Sequence, residues 1–153
     1  MDPVKARRRR FVEIKDALRD TGIQLSLLNQ RVGARLELRG VDLEVLNLIS
    51  RHGPISPTAL AGRARLHPAT LTGILDRLER QGWIARQPDP ADRRAIRVAQ
   101  LPDRTSALVA LLAGMNRAMD EVLDGYDDDE LDVIADFLRR TTDAGRRATD
   151  DLV

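Results

Sequence analysis

The sequence predicts a mainly α-helical protein with one small β-hairpin, and three observations support this fold class. Apolar residues recur every three or four positions over long stretches near both ends of the 153-residue chain, which is the spacing of amphipathic helices. In the middle, a Ser-Pro pair and a His-Pro pair mark the starts of two short helices. Two strand-like runs follow, separated by a loop that contains two prolines.

The composition excludes several kinds of protein. The chain has no cysteine, which rules out disulfide frameworks, thiolate metal sites and cysteine nucleophiles. Its only histidines are His52 and His67, so we expect no metal and no cofactor. No nucleophile-base pair or phosphate-binding loop is present, so we expect no enzyme. No apolar run approaches the roughly 20 residues that cross a bilayer, and we expect a cytoplasmic protein with no membrane partner.

Charge is distributed unevenly along the chain. The 25 basic and 24 acidic residues nearly cancel overall. Residues 1–50 carry a net charge of +3, residues 51–100 carry +5, and residues 101–153 carry −7. A basic middle segment in so short a chain predicts one surface that faces a polyanion.

Long amphipathic helices are predicted at both ends. The first spans about 25–30 residues and ends at Gly40, after which a short second helix covers residues 41–50. Near the other end, one helix ends at Gly125, and the next begins with a capping box of Asp127 and Glu130. The apolar stripes of the long helices comprise Phe11, Ile14, Leu18, Leu25, Leu28, Val32, Leu108, Leu112, Met115, Met119, Val122, Leu131, Ile134 and Leu138. Such stripes predict a helical scaffold that two protomers share.

The two short helices in the middle form a helix-turn-helix unit. Ser56 and His67 are the N-cap candidates, and the helices are predicted over residues 57–64 and 69–81. Four apolar residues of the second helix share one face, and the opposite face is small and able to form hydrogen bonds at its start. Such a face lets a helix approach base edges in a major groove. The inner face consists of Leu71, Ile74, Leu75 and Leu78, and the outer face of Ala69, Thr72, Gly73, Asp76 and Arg80.

A basic hairpin is predicted next to this unit. The strands are expected over residues 83–87 and 95–99, and the loop between them ends in Arg93 and Arg94. A stiff loop bearing arginine suits the narrow minor groove, where the negative potential of DNA is strongest. A helix-turn-helix followed by such a hairpin is a winged helix-turn-helix.

At these residues the chain resembles the MarR family of transcriptional regulators. The resemblance runs through residues 52–56, 71–79, 81–84 and 89–94, and its most specific element is the Asp92-x-Arg94 motif. The flanking helices fit the family in number, order and length, so the resemblance covers nearly the whole chain. It implies an obligate homodimer whose two winged helices bind successive turns of a pseudo-palindromic operator in double-stranded DNA.

The resemblance also implies roles for individual residues. Arg94, oriented by Asp92, would enter the minor groove; alternatively, these two residues form a salt bridge that only shapes the hairpin. Gly73 stands where many members carry a larger polar or basic residue, so base readout there is left open. The implied major-groove residues are Thr70, Thr72 and Gly73, and the implied phosphate contacts are Ser56, Thr58 and Arg77. Arg93 would lie beside Arg94 at the minor groove, with Asp92 as the orienting residue. Two further DNA-binding candidates are Ala69 on the outer face and His67 as a cap or phosphate contact.

Family members often release DNA when a small, frequently aromatic anion binds between the dimer helices and the winged helix. The pocket residues implied for such an effector are Leu28, Arg31, Leu46 and Met115, which are equally well explained as core. The absence of cysteine excludes thiol-based peroxide sensing.

We therefore predict three regions: an N-terminal dimerisation helix over residues 1–39, a winged helix-turn-helix DNA-binding domain over residues 40–101, and C-terminal dimerisation helices over residues 102–153. The predicted function is that of a sequence-specific, dimeric transcriptional regulator, most often a repressor in this family, relieved by a small aromatic or anionic ligand. The alternative is a helical dimeric scaffold that acts through protein partners, with a winged helix that is structural only.

Overall fold

The computed structural model describes residues 3–152, which form six helices and one two-stranded antiparallel sheet. This architecture confirms the predicted fold class. The elements are α1 (Pro3–Leu36), α2 (Gly40–His52), α3 (Pro57–Ala64), α4 (Pro68–Arg80), β1 (Ile84–Pro88), β2 (Ile96–Gln100), α5 (Pro102–Leu123) and α6 (Asp128–Asp150). Within residues 3–152, no helix combines the length and the apolar character that crossing a membrane requires. By compactness the chain divides within α5 into two units, residues 1–111 and residues 112–153.

The sequence predicted the break between α1 and α2 at Gly40, but the structure does not have it there. The first helix has 34 residues and is longer than expected. The chain reverses at Glu37, which adopts a left-handed φ of 56°, and the N–H of Leu38 donates to the carbonyl of Gly33 at 2.9 Å. A Cβ on Gly33 would lie 2.9 Å from the Leu38 carbonyl oxygen, so the glycine that this turn needs is Gly33. Gly40 is the first residue of α2.

The two helices of the helix-turn-helix unit lie within one residue of their predicted bounds. Ser56 and His67 are the N-caps of α3 and α4, and each is followed by proline at the first helical position. Arg65, in the connection, adopts a left-handed φ of 54°. The sequence therefore predicted this unit correctly from its local start signals.

The strands begin and end one residue later than predicted. Trp83 belongs to the turn that closes α4, because its N–H donates to the carbonyl of Leu78 at 2.9 Å. Ala95 belongs to the loop, because its N–H donates to the carbonyl of Asp92 at 2.9 Å. The paired residues run from Ile84 opposite Gln100 to Pro88 opposite Ile96.

A bridge to the hairpin, which the sequence did not predict, comes from the connection before α3. The N–H of Ile55 donates to the carbonyl of Val98 at 3.0 Å, and the N–H of Val98 donates back at 2.8 Å. Ile55 and Val98 are both buried. This bridge attaches the hairpin to the start of the helix-turn-helix unit.

The apolar core of the first unit lies between α2, α3, α4 and the hairpin. Side chains from each of these elements are almost completely buried, as the inner face of α4 predicts. They include Leu43, Val45, Leu46, Ile49, Leu60, Leu71, Leu75, Leu78, Trp83, Ile84 and Val98. The core therefore fixes the outer face of α4 and the hairpin on one scaffold.

The second unit consists of the rest of α5 and of α6. The predicted capping box is confirmed: the carboxylate of Asp127 accepts the N–H of Glu130 at 2.9 Å, and that of Glu130 accepts the N–H of Asp127 at 3.1 Å. No residue of α6 is buried within the single chain. An amphipathic helix of 23 residues without a buried face lacks the packing that normally stabilises it.

Candidate nucleic-acid interface

The caps of α3 and α4 hold two of the predicted phosphate contacts at helix starts. The hydroxyl of Ser56 accepts the N–H of Ala59 at 3.2 Å, and Nδ1 of His67 accepts the N–H of Ala69 at 3.3 Å. Thr58 lies exposed in the first turn of α3. Helix N-termini carry partial positive charge and unpaired N–H groups. The geometry at both caps is thus compatible with a phosphate nearby.

The outer face of α4 is exposed, while its inner face is buried as predicted. The hydroxyl of Thr72 donates to the carbonyl of Pro68 at 2.9 Å, which leaves its methyl group for outward contact. No atom lies within 4 Å of the place where a Cβ on Gly73 would stand. The exposed residues of this face are Ala69, Thr70, Thr72, Gly73, Asp76 and Arg80. This side of α4 is therefore open to close approach by another molecule.

Arg77 differs from the expectation of a phosphate contact. Its Nε donates to Oδ2 of Asp42 at 2.9 Å, and its Nη2 donates to Oδ1 at 2.5 Å. Asp42 is only 1% exposed, and the hydrogen bond raises the pKa of Arg77 above its ordinary value. The two groups form a bidentate pair that joins α4 to α2. The guanidinium group of Arg77 is therefore engaged inside the protein.

Arg86 of β1 joins the hairpin to the outer part of α4. Its guanidinium donates to Oδ1 of Asp76 at 2.6 Å and also to Oε2 of Glu79, and its backbone N–H donates to Oε1 of Glu79 at 3.1 Å. Burial acts to lower the pKa of Arg86, but the hydrogen bonds to both carboxylates outweigh it and raise the pKa. One arginine of the hairpin thus binds two carboxylates of α4.

The loop of the hairpin, residues 89–95, is held by Asp89. Its carboxylate accepts the N–H of Ala91 at 2.8 Å and Nε of Arg97 at 2.5 Å. These contacts, that of Ala91 first, lower the pKa of Asp89 below its ordinary value. The ion pair that shapes the hairpin is therefore between Asp89 and Arg97.

Asp92 contacts the backbone of Arg94. Its Oδ1 accepts the N–H of Arg94 at 3.0 Å, which fixes the turn and not the guanidinium. Arg93 and Arg94 are both exposed, and neither guanidinium has a hydrogen bond or ion pair within residues 3–152. The hairpin therefore ends in two arginines whose charges face outward.

Four residues of this arrangement were missed at the level of sequence: Asp42, Arg86, Asp89 and Arg97. Asp42 offered one signal, because an acidic residue stands between apolar neighbours in a short helix. No sequence signal indicated the pairing of Arg86 with Asp76 and Glu79, because the strand and the helix meet only in the folded chain. Charged residues in a basic segment look alike until the fold pairs them.

The four predicted pocket residues have different surroundings. Leu46 is 0% exposed and belongs to the core of the first unit, which agrees with the alternative explanation of these residues as core. Leu28 is half-buried and Arg31 is exposed. Met115 lies half-buried in the second unit. Over residues 3–152, no group of three or more His, Asp or Glu side chains has the geometry to hold a metal ion.

Comparison with known proteins identifies the family of this winged helix-turn-helix. Residues 41–96 match the sequence model of the MarR family. The chain is 30% identical over 118 residues to the HTH-type transcriptional repressor MdtR from Bacillus subtilis. The aligned region covers 71% of this chain and 76% of MdtR. This chain belongs to the MarR family. The resemblance stated from the sequence is thereby confirmed.

The chain is also similar to a second curated regulator and to a solved structure. The HTH-type transcriptional regulator PecS from Dickeya dadantii is 31% identical over 110 residues, which cover 70% of this chain and 60% of PecS. The solved structure of a MarR family protein from Bacillus stearothermophilus has a TM-score of 0.67 at 21% identity, covering 91% of this chain and 97% of that one. At that identity the likeness concerns the fold. As a MarR-family member, the chain is a DNA-binding transcriptional regulator.

Proposed function

We propose that this regulator binds a pseudo-palindromic operator as a homodimer, with α4 in the major groove and residues 89–95 in the minor groove. The observation that carries the proposal is the pair Arg93 and Arg94, exposed at the end of a hairpin that Asp89 and Asp92 hold in shape. Arginine inserted into a narrow minor groove is favoured by the negative potential there. The hairpin is in turn joined to α4 through Arg86.

The start of α4 is proposed to meet the bases. Ala69, Thr70 and Thr72 offer methyl groups and one hydroxyl, and Gly73 offers close approach. Ser56, Thr58 and His67 are proposed to meet phosphates at the starts of α3 and α4. For Arg77 we propose a structural role in place of a phosphate contact, because Asp42 engages its guanidinium.

A second copy of the chain is proposed to cover the apolar faces of α1, α5 and α6. These faces are exposed in the single chain, and α6 has no buried residue. Apolar patches of this kind on a soluble protein mark an interaction surface. The exposed large residues on these helices include Phe11, Ile14, Ile23, Leu25, Leu27, Val109, Met119, Val122, Val133, Phe137 and Leu138.

We propose repression as the regulatory output, since the relative MdtR carries that activity in its name. A small aromatic or anionic effector remains part of the proposal. Leu28 and Arg31 of the first unit remain candidates for contacts with such an effector. A cationic side chain among apolar ones suits an aromatic anion.

Selection of bound duplexes from a random pool tests the function most directly. We expect two half-sites spaced by about 10 base pairs, one turn of the double helix. Binding to the selected duplex should weaken steeply between about 50 and 200 mM salt, because phosphate contacts release counterions. A purified dimer with no preference for any selected duplex would contradict this function and favour a scaffold that acts through protein partners.

Replacement of Arg94 by alanine tests the minor-groove contact. We expect Arg94→Ala to weaken binding by roughly 10- to 100-fold, in line with a few kcal/mol for a charged groove contact, and to leave the melting temperature and the dimer intact. The matched control is Arg140→Ala, which removes an exposed arginine of α6 and should bind DNA like the wild type. Equal affinity of Arg94→Ala and wild type in an anisotropy titration would refute the role of the hairpin.

A further inference from the structure

Two carboxylates lie on the side of α4 that the proposed function turns toward DNA. The side chain of Asp76 is 54% exposed and that of Glu79 is 39% exposed. Together with Gly73 and Arg80 they line an open hollow on this helix. A negative charge at this place repels the phosphates of a duplex.

Neither arginine of α4 forms an ion pair with these two carboxylates. Of its two arginines, Arg77 is paired with the buried Asp42. Arg80 lies exposed next to Asp76, and its Nε donates to the backbone carbonyl of that residue at 3.3 Å. The cation that contacts both carboxylates comes from outside the helix and is Arg86 of β1.

We propose that Arg86 is a positioning residue for DNA binding, which masks the charges of Asp76 and Glu79 from the phosphates. The inference rests on the proposed function and explains how a recognition helix with two exposed carboxylates approaches a polyanion. Arg86 acts on DNA through these two side chains and not by touching the duplex itself.

Because the ion pairs of Arg86 are partly exposed, a role in DNA binding can be distinguished from a role in stability. A partly exposed ion pair contributes little to the free energy of unfolding, because water screens it and side-chain entropy opposes it. The net charge of the group formed by Asp76, Glu79 and Arg86 nevertheless acts on a polyanion over about a Debye length, roughly 8–10 Å. Loss of Arg86 is thus expected to change DNA affinity far more than stability.

The first test uses Arg86→Gln in the full-length chain. The probes are the duplex that the wild type selects from a random pool and a duplex of random sequence. Because two uncompensated carboxylates would face the phosphates, we expect roughly a tenfold loss of affinity for both duplexes. The control is Arg19→Gln, which removes the arginine of an exposed pair on α1 and should leave affinity unchanged.

Removal of the carboxylates then distinguishes masking from geometry. The triple variant Asp76→Asn, Glu79→Gln, Arg86→Gln should regain affinity to within about threefold of the wild type, since no charge is left to mask. A triple variant as weak as Arg86→Gln would overturn the proposal, because the hairpin would then need Arg86 as a mechanical link.

The double variant Asp76→Asn, Glu79→Gln gives an independent answer that does not depend on folding of Arg86→Gln. With Arg86 retained and its anions removed, binding should be as tight as in the wild type or tighter. A loss of affinity would mean that the carboxylates themselves contact DNA, which overturns masking. If the wild type bound no duplex, the proposed function would fail, and this inference with it.

Discussion

At the scale of single residues, Asp42 and Asp89 have the same carboxylate and opposite surroundings. Asp42 is 1% exposed and paired with Arg77, which links two helices of the core. Asp89 holds a surface loop through Ala91 and Arg97. The first position therefore bears on the stability of the whole unit, and the second on the local shape of the hairpin.

Removal of Asp42 should destabilise the protein. Asp42→Ala leaves Arg77 without its partner, and breaking a buried pair costs about 3–5 kcal/mol. Because the Arg77 side chain is 25% exposed and water can partly solvate it, we expect a loss of about 2–3 kcal/mol in the free energy of unfolding. Urea unfolding measures this loss. The control Asp16→Ala, from an exposed pair, should cost less than about 0.5 kcal/mol, and equal losses would contradict the structural role of Asp42.

The pH dependence of the hairpin follows from Asp89. Its pKa is lowered from 3.8, so the folded loop favours the ionised carboxylate. This contribution is fully present above the ordinary pKa and is lost as the pH falls through the lower folded value. We expect the amide proton shift of Ala91 to stay constant from about pH 7 to about pH 5 and to change at lower pH with a midpoint below 3.8. In Asp89→Asn this transition should be absent, and a midpoint above 3.8 would show that the contacts are not formed in solution.

At the scale of elements, α4 and the hairpin are formed in different ways. α4 has its own start signal in His67-Pro68, its own apolar face and its own stop at Gly82, where φ is 75°. The hairpin depends on contacts from elsewhere, namely the bridge to Ile55 and the contact of Arg86 with α4. The bounds of both were predicted to within one residue, but the contacts that hold the hairpin were not predicted.

Two glycines in helices should respond to alanine in opposite directions. Gly73 has no atom within 4 Å of its missing Cβ, whereas at Gly33 the Leu38 carbonyl oxygen would lie 2.9 Å away. Alanine is favoured over glycine in a helix by about 1 kcal/mol. We therefore expect Gly73→Ala to raise the melting temperature and Gly33→Ala to lower it, as measured by thermal unfolding. A gain at both positions would mean that the turn after α1 relaxes without cost.

At the scale of the whole molecule, the chain separates a winged helix with a buried core from helices that lack one. The boundary between the two compact units lies within α5. It therefore differs from the bounds of the three regions 1–39, 40–101 and 102–153, which were defined by their predicted roles. These three regions remain a proposal, because they depend on the proposed dimerisation role of the helices at the two ends of the chain. The net charge of −7 over residues 101–153 disfavours contact of that part of the surface with DNA.

A charge placed on the apolar face of α6 should separate the dimer. Leu138 is 49% exposed in the single chain, so Leu138→Asp costs the monomer little and buries a carboxylate in the dimer. We expect light scattering to show the mass of one chain in place of two. The control Arg139→Asp introduces the same side chain on the polar side of α6, where Arg139 pairs with Asp136, and should stay dimeric. A dimeric Leu138→Asp would exclude this face from the interface.

The local signals of the sequence were sufficient for much of the fold and of the site. Ser-Pro and His-Pro starts, apolar spacing and the capping box predicted α3, α4 and the start of α6 to within about one residue, because caps and periodicity act over a few positions. The exposed Arg93 and Arg94 were predicted from an equally local signal, the loop between two strand-like runs. Gly40 misled, since the turn is made by Glu37 and a close approach at Gly33.

The sequence by itself determined the order of the helices, the winged helix-turn-helix and the family, because these depend on residue types at short spacing. Only the tertiary structure decided which charges meet. Arg77 pairs with Asp42, and Arg97 pairs with Asp89, whereas Arg93 and Arg94 stay exposed. An arginine carries the same charge in every context, and the packing of distant elements determines whether that charge is engaged inside the protein or faces another molecule.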